Sequence, residues 1–185
     1  MKQILYVLSL AILLSLTYTS CKKDSLEGMR QDEVDTLDKY VKDNKLADKR
    51  DVSGIYIFDE MKGTGDTIKS GYRVMMYFKI TLLDGTEINT RGFSTDDGQG
   101  RNYEEYTFYV DSNDPIISDQ YVQKIAGMHL GLKKMQVGGK AKFIIPSELA
   151  FKAVDNLAIG IPRFSTLLVN VYARKGDAPD LPITK

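Results

Sequence analysis

The chain has 185 residues, with 25 Lys and Arg against 25 Asp and Glu, one Cys and one His. That length holds one ordinary domain with extensions, and a balanced charge argues against nucleic acid as a partner, because phosphate binding wants a basic surplus. A single Cys excludes an internal disulfide framework, one Cys with one His makes a transition-metal site improbable, and 43% hydrophobic with 27% charged residues marks a globular body, not a disordered one.

Met1-Lys2-Gln3 is a short basic start, and Ile4 to Tyr18 is an apolar run broken only by serines and a threonine. It falls short of the roughly 20 apolar residues of a bilayer span and reads as the h-region of a secretory signal. Thr19-Ser20 then lead into Cys21, followed by Lys22-Lys23-Asp24. Small residues directly before the only Cys resemble a bacterial lipoprotein signal, in which that Cys is lipidated and becomes the mature N-terminus. Tyr18 departs from the aliphatic residue usual at its position. An ordinary signal peptide with a stray Cys, or an uncleaved anchor, is the alternative. Removing residues 1–20 takes away one Lys and no acid, leaving 24 basic against 25 acidic residues. The absence of Asp directly after Cys21 resembles the sorting pattern for the outer membrane, facing the periplasm. The expectation is a soluble domain on a lipid tether in the cell envelope.

Residues 21–50 form a charged tether. Within it Val34, Leu37, Tyr40 and Val41 fall at i, i+3, i+6 and i+7, one stripe of a short amphipathic helix. Asp32 and Glu33 stand at its expected start, where carboxylates suit the helix dipole. A stripe of two turns is too short for a coiled-coil arm, so a spacer helix packed loosely on the domain, or not at all, is expected.

From residue 51 to 176 the pattern becomes short strands and Gly-centred turns, before a C-terminal tail at 177–185. Gly54 to Glu60 reads as a strand. Arg73 to Leu83 alternates, with Val74, Met76, Phe78, Ile80 and Leu82 on one face, so it is half buried. Asp84-Gly85 is a tight-turn signal, and Thr86 to Asn89 starts back. Residues 91–105 read as a polar loop, and Tyr106 to Val110 as another strand. Ile125, Met128, Leu132 and Met135 predict a helix over Gln120 to Met135, ended by Gly138-Gly139. Lys140 to Ile145 is a strand halted by Pro146, and Thr166 to Arg174 alternates with Leu167, Val169, Val171 and Ala173 inward. The fold class is α+β: antiparallel strands wrapped on one short helix.

Several chemistries lack their residues. His129 is alone and Cys21 lies in the leader, so neither a Ser-His-Asp nor a Cys-His arrangement exists. Gly63-Thr64-Gly65 lacks the third glycine of a dinucleotide fingerprint, and Gly139-Lys140 is followed by Ala141, so neither is a phosphate loop. No carboxylate pair is recommended by spacing. Covalent, metal and cofactor mechanisms are not expected; an enzyme built this way works by shape and environment.

Gly63-Thr64-Gly65, Gly71 before the long strand and Leu83-Asp84-Gly85 are followed by Gly131-Leu132-Lys133-Lys134-Met135-Gln136-Val137-Gly138-Gly139-Lys140 and by Phe143-Ile144-Ile145-Pro146. Ser147 to Phe151, then Ile161-Pro162 before Thr166 to Val171, complete the order. In this order and spacing, over about residues 51–176, the sequence resembles the FKBP-type peptidyl-prolyl isomerases. The resemblance implies an antiparallel sheet around one helix and a pocket between them that takes a proline ring, with no cofactor. It implies a pocket of Phe78, Ile88, Asn89, Tyr106, Ile125, Met128, Phe151 and Val169. Of these, Phe78, Tyr106, Ile125 and Phe151 would carry catalysis, with a backbone N–H at Ile125, and the others would bind substrate.

The sequence departs from the family pattern at these positions. Phe78 stands for the usual Tyr, Ile88-Asn89 for Phe-Asp, Met128 for a large aromatic, Phe151-Lys152 for Tyr-Gly, and Val169 for Phe. Two tyrosine hydroxyls and a carboxylate are thereby absent, and the Tyr106 hydroxyl is the available substitute. Core packing alone also explains Phe78, Val169, Ile125 and Met128, and Asn89 also reads as a plain turn residue. Two functions follow from the resemblance. One is an isomerase acting on proline-containing segments of proteins folding in the envelope; the other is a binding or chaperone module that has lost turnover.

Overall fold

The structure is a computed structural model that describes residues 25–91, 105–112, 114, 120–154 and 160–175. The leader with Cys21, nearly all of the 91–105 loop and the C-terminal tail lie outside the described residues. In chain order the elements are α1 (Leu26–Asp43), β1 (Tyr56–Met61), β2 (Arg73–Leu82), β3 (Glu87–Arg91), β4 (Tyr106–Tyr109), α2 (Ala126–Leu132), β5 (Lys140–Ile145) and β6 (Leu167–Lys175). Short 3-10 turns lie at Ala47–Lys49 and Ser147–Leu149.

The strands form one antiparallel sheet in the order β1-β5-β6-β2-β3. β4 takes the edge of β2 at Arg73–Met76, and β3 takes the same edge further on, at Phe78–Thr81. Alternation dictates the two faces. Val74, Met76, Phe78 and Ile80 of β2, Phe143 and Ile145 of β5, and Val169 and Val171 of β6 are all buried in one core beneath α2. The α+β architecture expected from the alternation is the one observed.

The helix of the domain is shorter than its apolar period suggests. It spans seven residues, Ala126–Leu132; Ile125 is its N-cap residue, and Gln120 to Lys124 form turns before it. Met135 lies beyond the C-terminus, closing a turn onto Leu132 O at 2.9 Å. Small residues let α2 lie close on the sheet. A Cβ on Gly127 would come within 2.3 Å of Ile145 Cγ2, and one on Gly131 within 2.6 Å of the Phe143 ring. Gly127→Ala is therefore expected to destabilise the protein by about 2 kcal/mol despite alanine's better helix propensity, because overpacking outweighs that gain. A urea midpoint at or above that of the wild type would show that the contact relaxes freely.

α1 differs from its expected form in length, face and docking. It runs 18 residues from an N-cap at Ser25, whose hydroxyl accepts the Gly28 N–H at 3.0 Å. Asp32 and Glu33 are thus in the second turn, not the first. Leu37 and Val41 are buried and Tyr40 partly so, but Val34 is 41% exposed, and Glu33 takes its place on the inward face. That face covers the outer side of the sheet, where Leu37 and Val41 cluster with Leu46, Tyr56 and Ile144. Ile144 points away from the main core, yet it is fully buried for this reason. The helix is packed on the domain, not a loose spacer.

Candidate active site

The residues expected in the pocket come together on the inner face. Phe78, Ile125, Met128 and Val169 are fully buried in the main core, and Ile88, Tyr106 and Phe151 are half-buried against it. Neighbouring strands explain part of this convergence. Phe78 and Val169 lie on β2 and β6, which are hydrogen-bonded partners. Tyr106, on the β4 edge, meets Phe78 edge-on with ring centroids 5.5 Å apart, a favoured aromatic geometry. Ile88 is the extra residue where the β2–β3 register shifts, between the pairs Thr81–Glu87 and Ile80–Asn89. Such a bulge re-aims a side chain. Asn89 pairs through its backbone with Ile80, and its side chain lies outside the described part of the structure.

Two of the polar groups at the site are already engaged. Tyr106 donates its hydroxyl to Gln120 Oε1 at 2.7 Å. The Ile125 N–H reaches Val122 O at 3.3 Å, long for such a bond, so a substrate carbonyl there has to compete for or share this donor. Phe151 follows the Ser147–Leu149 turn and precedes Lys152, whose φ of +56° is left-handed. The usual glycine adopts that conformation without cost; lysine does not. The loop accepts it because the Lys152 N–H bonds Ser147 O and the Lys152 carbonyl accepts the Phe164 N–H, both at 2.8 Å.

The sequence did not point to the residues that hold these parts in place. Phe108 is fully buried, with its ring 4.7 Å from that of His129 and 6.5 Å from that of Tyr106. His129 Nδ1 accepts the Asp111 N–H at 2.9 Å, so the ring proton is on Nε2, which donates to Gln123 O at 2.7 Å. With its amide turned, Gln123 donates to Tyr109 O and accepts from Tyr109 N–H, both at 3.0 Å. These bonds tie the turn that presents Ile125 to β4 on one side and α2 on the other. The only hint was that His129 is the chain's sole histidine and lies on the predicted helix.

Asp111 closes this cluster. Burial raises its pKa, but hydrogen bonds from Lys133 at 2.7 Å and Ser70 at 2.5 Å, with the Lys133 charge, outweigh burial and hold it below the usual carboxylate range. A carboxylate lowered by folding stabilises the protein above its unfolded pKa of about 3.9 and loses that contribution as pH falls through the folded value. Asp51, drawn down to about 2 by the Ser53 hydroxyl, the Ser53 N–H and Lys134, acts in the same direction. Asp111→Asn is therefore expected to lower stability at pH 7 and to shrink the loss between pH 7 and about pH 3. Urea denaturation at both values checks this; equal losses in variant and wild type would remove Asp111 from the account.

The family model described as FKBP-type peptidyl-prolyl cis-trans isomerase matches residues 65–172. A relative named FKBP-type peptidyl-prolyl cis-trans isomerase FkpA, from Buchnera aphidicola, is 29% identical over 157 residues, covering 84% of this chain and 54% of its own. Its namesake from Escherichia coli K12 is 33% identical over 112 residues, covering 59% of this chain and 33% of its own. The chain thus spans about half or less of the length of these relatives. The crystal structure of FkpA from Escherichia coli superposes with a TM-score of 0.59 at 26% identity, covering 98% of this chain and 72% of that one. That of AtFKBP13 shares the fold, with a TM-score of 0.51 at 22% identity and coverage of 70% and 98%. With more than half of its residues inside the matching family model, the chain belongs to the FKBP-type peptidyl-prolyl cis-trans isomerase family.

Proposed function

We propose that the chain is a peptidyl-prolyl cis-trans isomerase acting on proline-containing segments of proteins in the bacterial cell envelope, held there by a lipid on Cys21. The observation that carries the reading is the convergence of Phe78, Tyr106, Ile125, Met128, Phe151 and Val169 on one apolar cluster within a family-matched fold. Rotation about an Xaa-Pro amide faces a barrier of about 18–20 kcal/mol set by resonance across the C–N bond. It needs no nucleophile, metal or cofactor. A site that takes the proline ring among Phe151, Tyr106 and Met128 and excludes water favours the twisted amide, whose carbonyl is less conjugated and less dependent on solvation, over the planar one. The leader of residues 1–20, the position of Cys21 and the bacterial relatives support the envelope setting.

A second reading, a binding module without turnover, is favoured by one observation. The Tyr106 hydroxyl and the Ile125 N–H are both occupied by internal acceptors, so neither of these two donors stands ready for the substrate carbonyl. Exchange in a short Xaa-Pro peptide, followed by NMR with and without residues 22–185, separates the two. Exchange well above the intrinsic rate, which takes tens to hundreds of seconds, supports the isomerase. Peptide resonances that shift or broaden without faster exchange support the module, and no effect at all removes both.

A further inference from the structure

α1 lies outside the family-matched residues 65–172, yet it reaches the loop that carries Phe151. Glu33 Oε1 accepts the Ser147 N–H and the Thr166 hydroxyl, each at 2.7 Å, and Oε2 accepts the Ser147 hydroxyl at 2.5 Å. Ser147 and Thr166 are 1% and 5% exposed, so both hydroxyls are withdrawn from water and depend on this partner. The two residues stand at the two ends of the connection from β5 to β6, one leaving the sheet and one returning. Three donors converge on one side chain, and an ionised carboxylate accepts them all without presenting a donor of its own. Such charge-assisted bonds are stronger than neutral ones.

From Ser147 the bonds continue into the site. Its carbonyl accepts the Ala150 N–H at 2.9 Å and the Lys152 N–H at 2.8 Å, and the Lys152 carbonyl accepts the Phe164 N–H at 2.8 Å. Phe151 lies between two of these bonded residues and next to a left-handed one, a conformation that persists only where its surroundings impose it. Arg30, one turn before Glu33, adds a solvent-exposed link to Glu148 at 3.1 Å.

We propose that Glu33 is a positioning residue for the Phe151 loop, and that α1 is the latch that delivers it. The loop's order follows from the geometry alone; its effect on substrate rests on the isomerase reading. The test uses full-length protein in detergent micelles and compares wild type, Glu33→Ala and Glu33→Gln. It reads amide hydrogen exchange by mass spectrometry and peptide isomerisation by NMR. Glu33→Ala is expected to speed amide exchange over residues 147–154 by about tenfold, leaving β2 and β6 unchanged, and to raise the KM for an Xaa-Pro peptide about tenfold with a smaller fall in kcat. Glu33→Gln keeps an acceptor for both Oε1 bonds and is expected to stay within about threefold of wild type. Should Glu33→Ala not fold, Ser147→Ala and Thr166→Val remove donors from the other side and carry the same test.

Unchanged exchange over 147–154 overturns the proposal. Faster exchange spread evenly over the sheet also overturns it, because it marks general destabilisation, and so does a released loop with wild-type KM and kcat. If the wild type accelerates nothing, the isomerase reading is what fails, and amide exchange over 147–154 alone then decides the latch.

Discussion

Phe108→Ala is expected to cost about 4 kcal/mol of stability, the typical loss for a fully buried Phe truncated in a core. The ring is in contact with Tyr106 on one side and His129 on the other, so its removal leaves a void under the site wall and beside the only histidine. Neither neighbour can collapse into the space without releasing a bond. Tyr106 is held by Gln120, and His129 by Asp111 and Gln123. Chemical denaturation with two-state fitting measures the loss, and Phe108→Leu should recover most of it. A cost under about 1 kcal/mol would mean that the ring fills space the fold does not need filled.

Phe151→Ala is expected to act on the reaction more than on the fold. The residue is half-buried, and the bonds of its connection, at Ser147, Lys152 and Phe164 and at its own carbonyl, are made by the backbone, so truncating its side chain leaves the scaffold in place. On the proposed isomerase reading, what it removes is the aromatic surface offered to a proline ring. Isomerisation of an Xaa-Pro peptide should fall by about tenfold to a hundredfold, equivalent to about 1.4–2.8 kcal/mol at the transition state, with the far-ultraviolet circular dichroism spectrum unchanged. An unchanged rate in the folded variant would take Phe151 out of the site.

The strands were legible because alternation and burial are the same fact seen twice. Arg73 to Ile80 has both in full. Beyond it Thr81 is buried and Leu82 only half-buried, and the strand stops at Leu82, one residue before the Leu83 that alternation suggested. α2 was read too long because its apolar spacing reports burial, not helicity. Ile125 caps the helix and Met135 lies beyond it, but both are buried, since the turns at each end also face the sheet. α1 was read too short for the opposite reason. Its inward face contains a carboxylate, so a search for apolar residues selects Val34 and passes over Glu33. The apolar members of the site were legible from the family resemblance, with core packing as their competing explanation. His129 and Gln123 were not, because they bond backbone atoms that only the finished fold brings near. Glu33 is the extreme case: its partners are 114 and 133 positions away in the chain.

The last of the described strands in chain order fills the middle of the sheet. β6 bonds β5 along one edge and β2 along the other, from Val74–Lys175 to Leu82–Leu167. A chain that emerges from its N-terminus therefore offers two bare strand edges, on β2 and on β5, until residue 175 is free. Long-range pairings of this kind close slowly, and open edges recruit strands from other molecules. Aggregation should therefore threaten most in the interval before β6 arrives. The sheet thus stays open at its centre until the segment that ends β6 has been made.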